Sequence, residues 1–201
     1  MPGIALGAYV AFILVAFGWR TWLHYRRTGD SGFRGFSGAP GSLEWSAWAL
    51  FVLGLIAGFL APVLELAGLI SPAEPLRHPA VHAAGLFLLS LGFAVTVIAQ
   101  VHLGDSWRIG VDSGEITPLI TQGIFRHVRN PIFSGMVAAV AGLVLLVPDW
   151  LSLLAAVAVV SGVQLQVRRV EEPYLLRTHG ERYREYANSA GRFFPRIGLL
   201  P

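Results

Sequence analysis

Five stretches of this chain run without an Asp, Glu, Lys or Arg for long enough to cross a hydrocarbon layer: Met1–Trp19, Trp45–Leu64, Pro79–Gly104, Asn130–Pro148 and Trp150–Val167. A helix rises about 1.5 Å per residue, so roughly 17 to 25 apolar residues suffice to span a bilayer core. Inside lipid every backbone N–H and C=O must find its partner within the protein, which makes the helix the local solution for such runs. Composition agrees, with 54% hydrophobic and 13% charged residues, where soluble domains carry about 25% charged. The expected fold is therefore all-α: a polytopic membrane protein of about five transmembrane helices, one unit over residues 1–201. The last two runs are the shortest and meet at Pro148-Asp149, which predicts a tight helical hairpin.

All 15 basic residues are arginine, and their positions sort by side. Arg20, Arg26, Arg27 and Arg34 follow the first run, Arg108, Arg126 and Arg129 separate the third from the fourth, and Arg168 through Arg196 follow the fifth. Only Arg77 falls in a loop on the opposite side. The positive-inside rule then puts the amino terminus outside and the carboxyl terminus in the cytoplasm, as expected for an integral protein of a bacterial inner (cytoplasmic) membrane. The formal charge of +3 calls for no nucleic-acid partner, since anionic lipid headgroups are the simpler counterpart. The first run has no basic residue before its apolar part and reads as a retained helix rather than a cleaved leader. With no cysteine, disulfides, thiol nucleophiles and thiolate metal sites are excluded.

The remaining polar chemistry gathers in two segments on the same side, one from His102 to Asn130 and the other from Arg168 to the end. Asn130-Pro131 is a helix start, with Asn suited to the cap and Pro to the first turn. The same start presents backbone N–H groups that suit a carboxylate or phosphate, with Arg126 and Arg129 close by in sequence. Those arginines fit interfacial anchoring equally well. Glu171-Glu172 follows Arg168-Arg169 at the end of the fifth run, where an unpaired carboxylate is costly unless solvated or paired. Glu181, Arg182, Arg184 and Glu185 interleave with Tyr183 and Tyr186, which predicts an amphipathic cytoplasmic helix along the interface. The first loop, with glycine at 29, 32, 35, 38 and 41, is expected to be mobile. His78 and His82, four apart and near Glu74, have a metal-like spacing but straddle Pro79 on the other side, where a plain turn is expected; no metal site is assigned.

Taken together, RNPIFSG and EEPYLLRTHGERYREYANSAGRFFP resemble the isoprenylcysteine carboxyl methyltransferase and phospholipid methyltransferase group of membrane enzymes. That group shows Arg-His-Pro-x-Tyr-x-Gly, a Glu-Glu pair, Leu, Phe-Gly, Tyr-x-x-Tyr and Arg-x-x-Pro. Arg129, Pro131, Gly135, Glu171, Glu172, Leu175, Gly180, Tyr183, Tyr186, Arg192 and Pro195 match in order. Asn130, Phe133 and His179 stand where the group carries His, Tyr and Phe. Asn130 cannot titrate near neutrality, so a role that needs imidazolium falls to His127.

The resemblance implies S-adenosylmethionine as cofactor, bound within about residues 102–201, and a lipid-soluble or small hydrophobic acceptor drawn from the membrane. On that reading Arg126, Arg129 and the helix start at Asn130 and Pro131 meet the cofactor carboxylate, and Glu171 or Glu172 accepts from its ribose. Phe133 and Tyr183 wall the adenine, with Gly135 completing the motif. Arg169 or Arg192 positions the acceptor, and Glu172 takes a proton from it. Two other readings fit the same carboxyl-terminal region: an NADPH-dependent enzyme like the membrane sterol reductases, and a non-catalytic membrane partner.

Overall fold

A computed structural model of the chain describes residues 1–35, 38–110 and 116–200. Part of the predicted His102–Asn130 polar segment, residues 111–115, thus lies outside the described residues, as do two positions of the first loop. The described residues are helical, with isolated backbone bridges but no strand. In chain order the helices are α1 (Pro2–Thr28), α2 (Leu43–Leu66), α3 (Pro79–Leu103), α4 (Pro131–Leu146), α5 (Trp150–His179) and α6 (Glu181–Ser189).

Four helices, α1, α2, α3 and α5, are long and apolar enough to cross a membrane, and α4 is a shorter apolar helix. Its 16 residues make it about 24 Å long, against roughly 30 Å of hydrocarbon core. Five comparable spans therefore become four long helices and one short one. Two boundaries also move. The first helix runs nine residues past the expected end at Trp19, through Arg20–Thr28, and α5 passes the expected end at Val167 to reach His179. Both extensions follow a π-helical segment, Leu14–Trp19 in α1 and Gln166–Glu171 in α5. The wider turn rotates the residues that follow, so charged side chains continue on a helix whose earlier turns face an apolar core.

The hairpin between α4 and α5 closes as predicted. Asp149 caps α5 by accepting from the Ser152 N–H at 2.7 Å, and Ser152 Oγ donates back to the Val147 carbonyl at 2.6 Å. The Ala73 N–H donates to the Pro148 carbonyl at 2.7 Å, which ties the α2–α3 loop to the hairpin tip. On that side His78 acts as a cap: its Nδ1 accepts from the Ala80 N–H at 3.2 Å.

α3 packs along α4 and α2 along α5, while α1 leans on α2. The pairs meet almost backbone to backbone. A Cβ at Gly85 would lie 2.9 Å from the Gly142 carbonyl oxygen, and one at Gly162 would lie 2.7 Å from that of Ala47. Small residues permit this approach, and dispersion between closely packed helices replaces the hydrophobic drive that lipid cannot supply. Phe12, Phe51, Met136 and Val163 fill the core between the helices, and Leu89, Leu143 and Leu146 continue it. Leu14, Ile56, Phe87 and Leu154 remain exposed around the bundle, as a lipid-facing surface requires.

The first loop departs from the expected mobility. The Arg34 N–H donates to Ile109 O at 2.9 Å and the Ile109 N–H to Gly32 O at 2.8 Å, so the middle of the loop pairs with the segment after α3. Gly32 has a φ of 73°, which strains any other residue, and a Cβ there would press on Trp107 and His24 at 3.0 and 3.1 Å. The Arg34 guanidinium beside Asp30 holds that carboxyl down to about 2, so this ion pair stays charged at neutral pH.

Enlarging the α3–α4 contact tests the packing. Gly142→Val should cost about 1–3 kcal/mol or more through overpacking, whereas Gly7→Ala, where nothing lies within 4 Å, should be neutral or slightly stabilising. Thermal unfolding in detergent reads the difference.

Candidate functional site

The arginine-rich end of the bundle is built by strapping the tail across the start of α4. The Gly191 N–H donates to His127 O at 3.1 Å and the Arg129 N–H donates to Gly191 O at 2.8 Å. One residue on, the Asn130 N–H and Nδ2 both donate to Arg192 O, at 3.1 and 3.0 Å. Ser134 Oγ donates to Phe193 O at 2.6 Å. A Cβ at Gly191 would collide with the Phe194 carbonyl, so only glycine fits the turn that follows. Asn130 therefore spends its side chain on the tail rather than on capping α4.

Beneath the strap lies a buried ion triad. Glu172, 6% exposed, receives Arg129 Nη2 at 2.7 Å on one oxygen and Arg192 Nε at 2.8 Å on the same oxygen, with Arg192 Nη2 at 3.0 Å on the other. Arg129 also donates to the carbonyls of Ala187, Ala190 and Gly198, at 2.7, 2.5 and 2.9 Å. This one guanidinium thus joins the entry to α4, the end of α5, α6 and the final residues. Desolvating three charges is costly, and the extra donor bonds offset it.

Next to the triad opens a cavity of about 230 Å³. Arg129, Asn130, Pro131 and Phe133 form part of its wall, and Glu171 and Tyr183 form another part. The helix start and the acidic doublet, 40 residues apart in sequence, are therefore brought to one cavity. The doublet divides its labour. Glu171 is half-buried on the cavity wall, whereas Glu172 is committed to two arginines and does not line it. Arg192 is likewise held in the triad. Arg126, His127 and Arg169 are exposed and off the wall, and Gly135 packs against Thr96 and Gly92 of α3.

α6 covers this end with its aromatic face. Tyr183 is 1% exposed, and Tyr186 Oη donates to the Phe125 carbonyl at 2.7 Å. The interleaved aromatic pattern thus packs onto protein. Burial pushes the Tyr183 phenol up to about 12, reinforced by the negative charge of Glu172 and opposed by Arg129. Burial raises Tyr186 as well. Both phenols are neutral near pH 7.

Several lining residues lie outside the motifs. Trp107, Arg108 and Thr117 come from the segment between α3 and α4, and Arg108 donates to Thr117 Oγ1. Arg20 donates to the Gly104 carbonyl and stacks over Trp107, 5.0 Å from the ring centre. Gln100 and Gln166 also line the cavity from within apolar helices. An amide inside a membrane span was the signal for both, with Gln164 beside Gln166 in the second.

A family model described as phospholipid methyltransferase matches residues 80–182, just over half of the chain. No curated protein matches it.

The triad is open to direct test. Glu172→Gln leaves two buried guanidinium groups without their counter-charge and should lower stability by about 3–5 kcal/mol. Arg169→Ala, at an exposed position, should stay within about 0.5 kcal/mol of wild type. Denaturant unfolding in micelles, with proteolysis of the tail as a second readout, distinguishes the two.

Proposed function

Because this chain belongs to the phospholipid methyltransferase family, we propose that it transfers a methyl group from S-adenosylmethionine to a lipid-soluble acceptor at the cytoplasmic membrane face. The observation that carries the reading is the meeting of the α4 start and Glu171 in one cavity at the arginine-rich end. The donor set fits the cofactor. Backbone N–H groups in the first turn of α4, at the positive end of its dipole, suit a carboxylate, and both Ile132 and Phe133 reach the cavity. Phe133, Tyr183 and Tyr186 offer flat or apolar walls for a base.

When bound, the cofactor supplies an electrophilic methyl carbon on a sulfonium, whose sulfur keeps the bonding pair as the methyl leaves. The protein's work is alignment and exclusion of water, because an in-line displacement gains most from fixed geometry. The strap and α6 cover the cavity from the polar side. Arg129 and Arg192 orient no acceptor directly on this reading; they hold Glu172 and so fix the wall. Glu171 is left to accept the proton released when an N–H or O–H acceptor is methylated. It takes the place first assigned to Glu172, whose oxygens are occupied.

Saturable binding of labelled S-adenosylmethionine to the purified protein is the expected result, and its absence from protein of full helicity removes the reading. S-adenosylhomocysteine at about 100 times its Kd should add about 2.7 kcal/mol of apparent stability, while NADPH should add none. Stabilisation by NADPH alone would favour the reductase reading. Glu171→Gln should keep that stabilisation and lose about 10²–10⁴ in methyl transfer.

A further inference from the structure

Two amides on the cavity wall have hydrogen-bonding capacity that the protein itself does not use. Gln100, on α3, is 2% exposed, and its Nε2 donates to the Ala16 carbonyl at 2.8 Å. Ala16 lies in the π-helical segment of α1, where the backbone ladder is disturbed and a carbonyl is available. That bond fixes the orientation of the amide, because only its nitrogen can donate to a carbonyl. Gln100 Oε1 is then a buried acceptor with no partner, on a residue that lines the cavity.

Gln166, 6% exposed, stands on α5 at the head of the second π-helical segment. Its neighbour across the bulge is Glu171, toward which its amide nitrogen acts as a weak donor, while Gln166 Oε1 is left without a partner. Leaving such groups dry and unpaired is costly, so two in one cavity point to a ligand that completes them.

We propose that Gln100 and Gln166 form a second polar station in the cavity, which binds the methyl acceptor through an uncharged N–H or O–H group. The proposal rests on the methyltransferase reading and narrows its acceptor. Gln100 Oε1 needs a donor, which a carboxylate lacks, and the guanidinium near Glu171 on this wall, that of Arg108, is turned to Thr117. Both terminal nitrogens of Arg129 are taken by Glu172 and three carbonyls. Gln100 Oε1 accepts from the N–H or O–H and holds the acceptor in place; as the acceptor's lone pair bonds the methyl carbon and sulfur keeps the C–S pair, the proton leaves Gln100 for Glu171, which stands beside Gln166. The apolar part of the acceptor has somewhere to go. Phe17, Phe51 and Met136 are shared with a second, almost wholly apolar cavity of about 40 Å³.

The test uses three probes of equal chain length, decan-1-ol, decyl methyl ether and decanoate, titrated into the protein in lipid nanodiscs and read by thermal stabilisation. Wild type should bind the alcohol about five- to tenfold more tightly than the ether, and the carboxylate no better than the ether. Gln100→Met should reduce the alcohol-to-ether ratio to within about twofold, and Gln166→Met should do so in part. A wild type that does not prefer the alcohol, or that prefers decanoate, overturns the proposal. So does a Q100M protein that keeps the full preference. If a variant fails to fold, the wild-type ratios alone decide between these outcomes. S-adenosylhomocysteine should stabilise wild type and Q100M alike. If it stabilises neither, the cofactor reading falls, while the alcohol-to-ether ratio measured without it still decides the amide station.

Discussion

A single carboxylate, Glu172, gathers the working end of this protein. Its two oxygens hold Arg129 and Arg192, and Arg129 in turn holds the carbonyls of α6 and of the final residues. Burying such a group gains little net stability over apolar packing, because desolvation consumes most of the Coulombic attraction. Its value lies in selection. Any arrangement that separates the α4 entry, the end of α5 and the tail leaves unpaired charge in a dry place. The strap of backbone bonds from His127–Asn130 to Gly191–Arg192 follows the same line and fixes its register.

The membrane-spanning part supplies the frame for that end. Glycines at the α3–α4 and α2–α5 contacts let the helices approach until backbone meets backbone. Against that close frame, two π-helical segments interrupt the regular ladder of α1 and α5. One sets the Ala16 carbonyl within reach of Gln100, and the other carries Gln166 at its head and Glu171 at its end. Irregularity is concentrated where side chains must leave the packed interior and face a cavity, which is where a helix can bear it in lipid. The cavity then lies between a polar roof, made by the strap and α6, and an apolar floor that leads toward the core.

Much of this was legible in the chain. The five uncharged runs specify helices, since an unpaired backbone group in lipid has no remedy, and Pro148-Asp149 specifies the hairpin. Asn130-Pro131 marks the start of α4, and the order of Arg129, Glu171, Tyr183 and Arg192 marks the segments that converge. Other features were invisible because local pattern does not encode them. The glycine-rich first loop has the composition of a mobile linker, yet Gly32 and Arg34 pair with Ile109, a partner 75 residues away from Arg34. Glu171 and Glu172 look alike as adjacent letters. About 100° of helix rotation separates neighbouring residues and gives one to the cavity and the other to two arginines.

By itself the sequence determined the all-helical membrane architecture, the clustering of arginine at one end and the helix start at Asn130-Pro131. Those follow from transfer free energies and short-range periodicity, which each segment carries alone. Only the tertiary structure decided which carboxylate is held by two arginines and which lines the cavity, that Arg126, His127 and Arg169 stand outside the wall, and that Gln100 and Gln166 reach it. Such assignments depend on helix rotation, π-turns and contacts between distant segments, and no residue fixes them until its neighbours are in place.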